Sequence, residues 1–301
     1  MSFELKDDES LPHGIHRIAK KQLEQIQEYV GGRTRSSSDE IVHESRKCLK
    51  KVRALLRLVR PAIRKKTYRV ENRALRDAAK PLTEVRDTRV LIDTFDKVAR
   101  ERGWRGARGS LAAMRRELVR HQREVRERVL EEEHAFTVVA SAVAKALKRL
   151  DNWVEVPDGW SSVGDGVEKV YRRGRQALAN VQQTPTVEHL HEWRKHAKYL
   201  RYQLDILRPL RPTVLTLLAK KVDRLCDLLG DDHDLAVLRR EVAGDPERFG
   251  GTERLEPLLA RIDRRRTRLE RDAVVLGRRV FRESPQAFDR SLREYWKEWR
   301  G

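Results

Sequence analysis

Apolar residues recur at helical spacing along nearly the whole chain, and this periodicity restricts the fold more than any other feature. Leu11, Ile15, Ile18, Leu23, Ile26 and Val30 share one side of a first helix, which Gly31 and Gly32 stop. A polar loop over 33–38 follows, and Asp39 is placed to cap a second helix ending near Pro61. A third helical stretch covers 65–99 with Pro81 as a break or kink, and a fourth, bent or divided, covers 108–150. Helices resume over 166–182, 186–207, 212–243, 253–282 and 286–300, punctuated by proline and glycine. Between the two sets, residues 152–165 hold Pro157, Gly159, Trp160, Ser161, Ser162 and Gly164 and read as a linker. Charged residues make up 38 % and apolar residues 39 %, the balance of long helices with one buried stripe. Aromatics are only 6 % and β-branched runs are few, which argues against a large sheet. The predicted class is all-α.

The second helix of each set matches the other in sequence. His43-Glu44-Ser45-Arg46-Lys47 aligns with His191-Glu192-Trp193-Arg194-Lys195. At the same offset Lys50 meets Lys198, Arg53 meets Arg201, Leu56 meets Leu204, Arg60 meets Arg208, and Pro61 meets Pro209. A weaker match pairs Leu82, Asp87, Val90 and Leu91 with Leu229, Asp234, Val237 and Leu238. An internal duplication follows as an expectation: two similar helical bundles, residues 10–151 and 166–301, about a pseudo-two-fold axis.

Along each matched helix His43, Arg46, Lys50 and Arg53, or His191, Arg194, Lys198 and Arg201, stack on one face, with Lys47 and Lys195 beside them. Like charges so stacked repel, and an extended anion along the face relieves the repulsion. The whole chain carries a formal charge of +19, which favours anionic partners.

These two His-x-x-Arg-Lys-x-x-Lys-x-x-Arg helices resemble the CHAD family (conserved histidine α-helical domain). Arg86-Asp87 and Asp231-Asp232-His233-Asp234-Leu235 are similar to its other signatures. The resemblance covers about residues 10–300. It implies two tandem four-helix bundles, binding of inorganic polyphosphate, and association with polyphosphate granules. The implied binding set is His43, Arg46, Lys47, Lys50, Arg53, His191, Arg194, Lys195, Lys198 and Arg201. Arg17, Lys20 and Lys21 on the first helix, with Arg172, Arg173 and Arg175 on its counterpart, join it by place in the helix order. Arg suits such a ligand through its planar fork, and Lys through a mobile point charge.

Other chemistries fit less well, and a binding protein without cofactor or metal is expected rather than an enzyme. His191-Glu192-x-x-x-His196 misses the His-Glu-x-x-His zinc motif, which needs its two histidines at i and i+4 on one face, since five residues turn the two rings about 140° apart. Asp231-Asp232-His233-Asp234 has divalent-cation ligands, but Gly230 beside it reads as a helix end and the aspartates as caps. There is no nucleophile elbow or phosphate-cradling glycine loop, and Cys48 and Cys226 lie in no reactive or zinc motif. Nucleic acid is the alternative polyanion, yet the aromatics form no row for base stacking: Trp193 and Tyr202 border one stripe, Ser45 and Ala54 the other. Tyr295, Trp296 and Trp299 suit a C-terminal helix docked on the bundle. An acidic N-terminus without a signal peptide, two unpaired cysteines and no apolar span place the expected protein in the cytoplasm.

Overall fold

Local signals set several helix starts: Ser37, Thr186 and Ser284 cap helices through their hydroxyls, and prolines open others. The computed structural model describes residues 3–100, 108–153 and 156–301, and all the regular structure described is helical. Its helices are α1 (Leu11–Val30), α2 (Ser38–Leu58), α3 (Lys65–Ala78), α4 (Thr83–Ala99), α5 (Arg108–Arg126), α6 (Ala135–Arg149), α7 (Gly164–Gln183), α8 (Val187–Leu207), α9 (Pro212–Gly244), α10 (Thr252–Val280) and α11 (Pro285–Arg300). Pro81 lies in the break between α3 and α4, as its missing N–H requires. The stretch expected over 108–150 is divided: a π-helical turn, Glu127–Glu132, follows α5, and His134 with φ 50° opens α6.

Two local readings need correction. Ser37, not Asp39, caps α2, its hydroxyl accepting from the Glu40 N–H at 3.3 Å. Asp39 instead sits in the first helical turn, where the helix dipole favours it, and accepts from Arg89 and Gln122. Gly230 does not end a helix either: α9 runs unbroken for 33 residues through Gly230 and the whole 231–234 cluster. Flanking Leu228, Leu229, Leu235 and Leu238 are all buried, and this apolar packing outweighs the modest helix penalty of one glycine.

Two cores hold the molecule, and each draws on both sides of residues 152–165. The larger joins α1, α2, α3, α6, α7, α8, α11 and the N-terminal part of α9. The smaller joins Phe95 and Val98 of α4 and Met114 of α5 to Leu238 of α9 and Leu258 and Ile262 of α10. The segment read as a linker is itself packed: Trp153, Val156, Trp160 and Val163 are buried, and Trp160 Nε1 donates to Asp289 Oδ1 at 3.0 Å. Residues 154–155 of that segment lie outside the described residues. The aromatic C-terminal helix docks as its composition suggests, burying Phe288, Leu292 and Trp296.

Glycine lets the His-led helices approach their neighbours. A Cβ on Gly166 of α7 would lie 1.9 Å from the Leu58 carbonyl oxygen at the end of α2. A Cβ on Gly277 of α10 would lie 2.3 Å from the Trp193 ring of α8, which is wholly buried. α2 and α8 also meet each other directly, the Gln203 amide donating to the Ala54 carbonyl at 3.3 Å. Among the described residues no helix is long and apolar enough to cross a membrane.

Candidate polyanion-binding site

Amphipathic packing decides where the two cationic stripes go. On α2 the residues Val42, Ser45, Leu49, Val52 and Leu56 are buried, and on α8 the corresponding Leu190, Trp193, Ala197, Leu200 and Leu204 are buried. The cationic residues between them are carried towards the meeting of the two helices. Arg46 and Lys50 of α2 come close enough to Arg194 and Lys198 of α8 for their charges to interact, and Arg86 of α4 joins them.

This cluster lacks the carboxylate partners that half-buried cations usually have. Among the described residues, Lys50, Arg194 and Lys198 form no ion pair, and Arg46 donates only to the Thr83 hydroxyl (2.5 Å) and the Ala79 carbonyl (3.3 Å). The Nε groups of Arg46 and Arg194, at matched positions, are both buried without an acceptor. Burial, followed by the charges of Arg46, Lys198, Arg194 and Arg86, pushes the Lys50 ammonium down to about 7. Burial and then Arg194 push Lys198 down as well. Asp87 and Asp234 lie near without bridging. Burial raises the Asp87 carboxyl. Burial works the same way on Asp234, but the His233 hydrogen bond at 3.0 Å and the charge of Arg194 outweigh it and hold that carboxyl low.

Each histidine opens on a cleft. His43 shares one of about 380 Å³ with Asp39, Glu40, Arg86, Arg89 and Asp93. His191 lines one of about 1050 Å³, and its ring centroid lies 5.3 Å from that of His233. Burial, then Arg86 for His43 and His233 for His191, lowers both imidazoles below their usual range, so both are neutral near pH 7.

The remaining cations read from the sequence part company with this cluster. Lys47 and Lys195 each pair with the glutamate one turn earlier, Glu44 and Glu192. Arg201 is held by Asp205 and by Asp223 of α9, the latter at 2.9 Å. Arg17 is taken by Glu9 and by the Glu4 carbonyl. Lys20 lies 3.9 Å from Glu24, and Lys21 lines a mixed cleft with His13, His16, Glu24 and Glu28. Arg172 pairs with Glu168 at 2.5 Å and Arg175 donates to the Glu283 carbonyl at 2.5 Å. Arg53 and Arg173 line a separate cleft with Lys195. Sequence reasoning missed His233 as a neighbour of His191, and it missed Arg86 as part of the cluster's charge. Both stood in the signatures quoted above, but their place beside the stripes depends on how α4 and α9 pack.

No group of three metal-ligating side chains converges among the described residues. Consecutive residues of a helix point in successive directions, and 231–234 do so. Asp231 meets Lys97 at 3.1 Å, the buried Asp232 meets Arg266 at 2.8 Å, and His233 and Asp234 turn towards the cationic cluster. Both cysteines are packing residues: burial pushes Cys48 to about 11 and Cys226 to about 12.

The chain matches a family already known. The family model described as CHAD domain matches residues 17–243. The chain therefore belongs to the CHAD family, which is associated in general with polyphosphate binding. A solved structure described as the crystal structure of the CHAD domain from the plant Ricinus communis matches with a TM-score of 0.64 at 16 % identity, covering 98 % of this chain and 95 % of that one. At that identity the likeness speaks for the fold alone. Among the curated proteins searched, none matches.

Proposed function

We propose that this chain binds inorganic polyphosphate along the meeting of α2 and α8, with Arg46, Lys50, Arg194 and Lys198 as the central contacts and His43 and His191 at the outer ends. The observation that carries this reading is the set of four interior cations that no carboxylate bridges among the described residues, Asp87 and Asp234 lying near them. Unpaired charge held away from water destabilises a fold by several kcal/mol, so such a set is retained where a ligand completes it. A uniform phosphate polymer places a charge beside every cation and asks for no base recognition. Nucleic acid supplies phosphates too, but aromatic faces for its bases are taken: Trp193 is in the core, Tyr199 lies under Arg57, and Tyr202 packs on Phe3. The reading extends to residence on polyphosphate granules and to a binding rather than catalytic role.

Competition binding tests it. Long-chain polyphosphate is expected to displace labelled polyphosphate at phosphate concentrations where duplex DNA and single-stranded RNA do not. Replacing both interior lysines, K50M/K198M, is expected to weaken binding by about tenfold or more through the lost charge-assisted contacts. Equal displacement by nucleic acid, or unchanged affinity in the double variant, would sink the proposal.

A further inference from the structure

We propose that the outer face of the first turns of α9 docks the protein on an anionic lipid bilayer. Leu215, Ala219, Val222 and Cys226 hold one side of this helix in the core. Leu217 lies about 200° round the helix from Leu215, on the opposite side, and is 57 % exposed. Val214, one turn earlier on the same face, is 42 % exposed. Six large apolar side chains are exposed among the described residues, and these two alone share a helix. The other four, Val70, Val138, Val187 and Val275, stand singly on α3, α6, α8 and α10, as scattered surface residues do. Beyond Leu217 the same face carries Lys220, Lys221 and Arg224, all exposed. Neither lysine has an ion pair among the described residues.

The carboxylates around this face are engaged or lie towards its far end. Asp223 holds Arg201 at 2.9 Å, and Glu298 of α11 holds Arg211 at 2.6 Å. Asp227 lies near Arg224. An apolar pair with unpaired lysines one turn further on matches the two layers of a bilayer surface. The apolar side chains enter the acyl boundary, and the lysines bury their stems while keeping the ammonium groups among anionic headgroups. A protein partner fits less well. A stable interface buries about 800 Å² on each side, and two side chains on a convex helix supply a small part of that. A fluid bilayer needs no shaped counterpart. A second copy would bring the same lysines against their own kind. None of these residues belongs to the interior cluster, so the bilayer contact and the polyphosphate contact can fail separately.

Co-sedimentation of the full chain with vesicles tests the surface. Binding is expected to vesicles of equal parts phosphatidylglycerol and phosphatidylcholine, and to be at least tenfold weaker, as an order of magnitude, to phosphatidylcholine alone. A charge of +19 would draw the chain to anionic vesicles without any docking face, so the deciding variant keeps the charge. V214S/L217S is expected to bind the mixed vesicles about tenfold or more weakly, and V70S/V275S, with as many exposed apolar side chains removed elsewhere, to stay within about twofold. K220Q/K221Q is expected to lose about tenfold. A polarity-sensitive dye on L217C reads insertion directly, because Cys48 and Cys226 are buried. Its emission is expected to shift to the blue on the mixed vesicles, and that of the same dye on V275C to stay put. Undiminished binding by V214S/L217S or K220Q/K221Q, or equal dye responses at the two positions, assigns adsorption to net charge and overturns the proposal. Self-association that V214S/L217S abolishes would make a second copy the occupant and overturns it too.

Discussion

Lys50 is the side chain on which function and stability pull hardest against each other. Its ammonium is half-buried, faces Arg46, Arg86, Arg194 and Lys198, and has Asp87 nearby without a bridge. Replacing it and Lys198 by methionine keeps most of the packing volume and removes two unpaired charges. K50M/K198M is therefore expected to melt higher than the unaltered protein, by about 1 kcal/mol or more in unfolding free energy, while binding polyphosphate less well. A lower melting temperature would show that nearby carboxylates already stabilise these ammonium groups. The pH dependence has opposite signs in the two states. With the folded value near 7 and the ordinary value of 10.5, the unfolded chain holds the proton across that window and the folded chain does not. Ligand-free stability thus rises with pH between about 7 and 10. Polyphosphate restores the proton, so affinity falls over the same direction above pH 7, by up to about tenfold per unit for one proton. Calorimetry at pH 8 in buffers of different ionisation enthalpy is expected to show uptake of about one proton per site; none would mean that Lys50 is charged already or is not in contact. The stripe carrying Lys50 was legible because residues three and four apart share a helix face. Which of its members stay unpaired was not, since the carboxylate that takes Arg201 from outside, Asp223, arrives on α9.

Among the helices, periodicity located nearly every element, and the departures have physical causes. α9 passes through Gly230 because buried leucines on both flanks stabilise it, so the run of aspartates beyond that glycine became successive helix faces rather than a capped turn. The segment 152–165 has the composition of a linker, yet its tryptophans and valines bury themselves, and no local signal distinguishes a strap from a tether. Close helix approach is legible only after the fold is known. Gly166 illustrates it: glycine in an α7 turn looks like a weakness of about 1 kcal/mol relative to alanine, whereas here it admits the Leu58 carbonyl. The substitution G166A, stabilising in an open helix, is expected to destabilise this protein by about 1–3 kcal/mol, because the contact is backbone and cannot swing aside. G109A, where a Cβ meets nothing within 4 Å, is the matched control and is expected to be neutral or better. Chemical denaturation of the pair checks this, and equal effects would mean that α7 shifts freely against α2.

The whole molecule carries 66 basic residues against 47 acidic ones, so a diffuse field alone could gather polyanions without any site. Salt dependence separates the two origins. If four phosphates displace their counterions at Arg46, Lys50, Arg194 and Lys198, the logarithm of the binding constant falls against the logarithm of salt with a slope of about −3. From 50 to 200 mM salt that amounts to about 60-fold. K50M/K198M removes only two of the 66 basic residues, a change the diffuse field would scarcely register. A binding set of four, however, loses half its members, and the slope is expected to fall to about −1.5. Paired cations such as Arg201 and Arg17 contribute little to the slope in either protein, because their carboxylates have already displaced the counterions that a phosphate would release. Titrations of both proteins with one polyphosphate length at four salt concentrations decide the matter. Slopes that coincide assign the binding to the +19 charge as a whole, and a halved slope assigns it to the meeting of the two histidine-led helices.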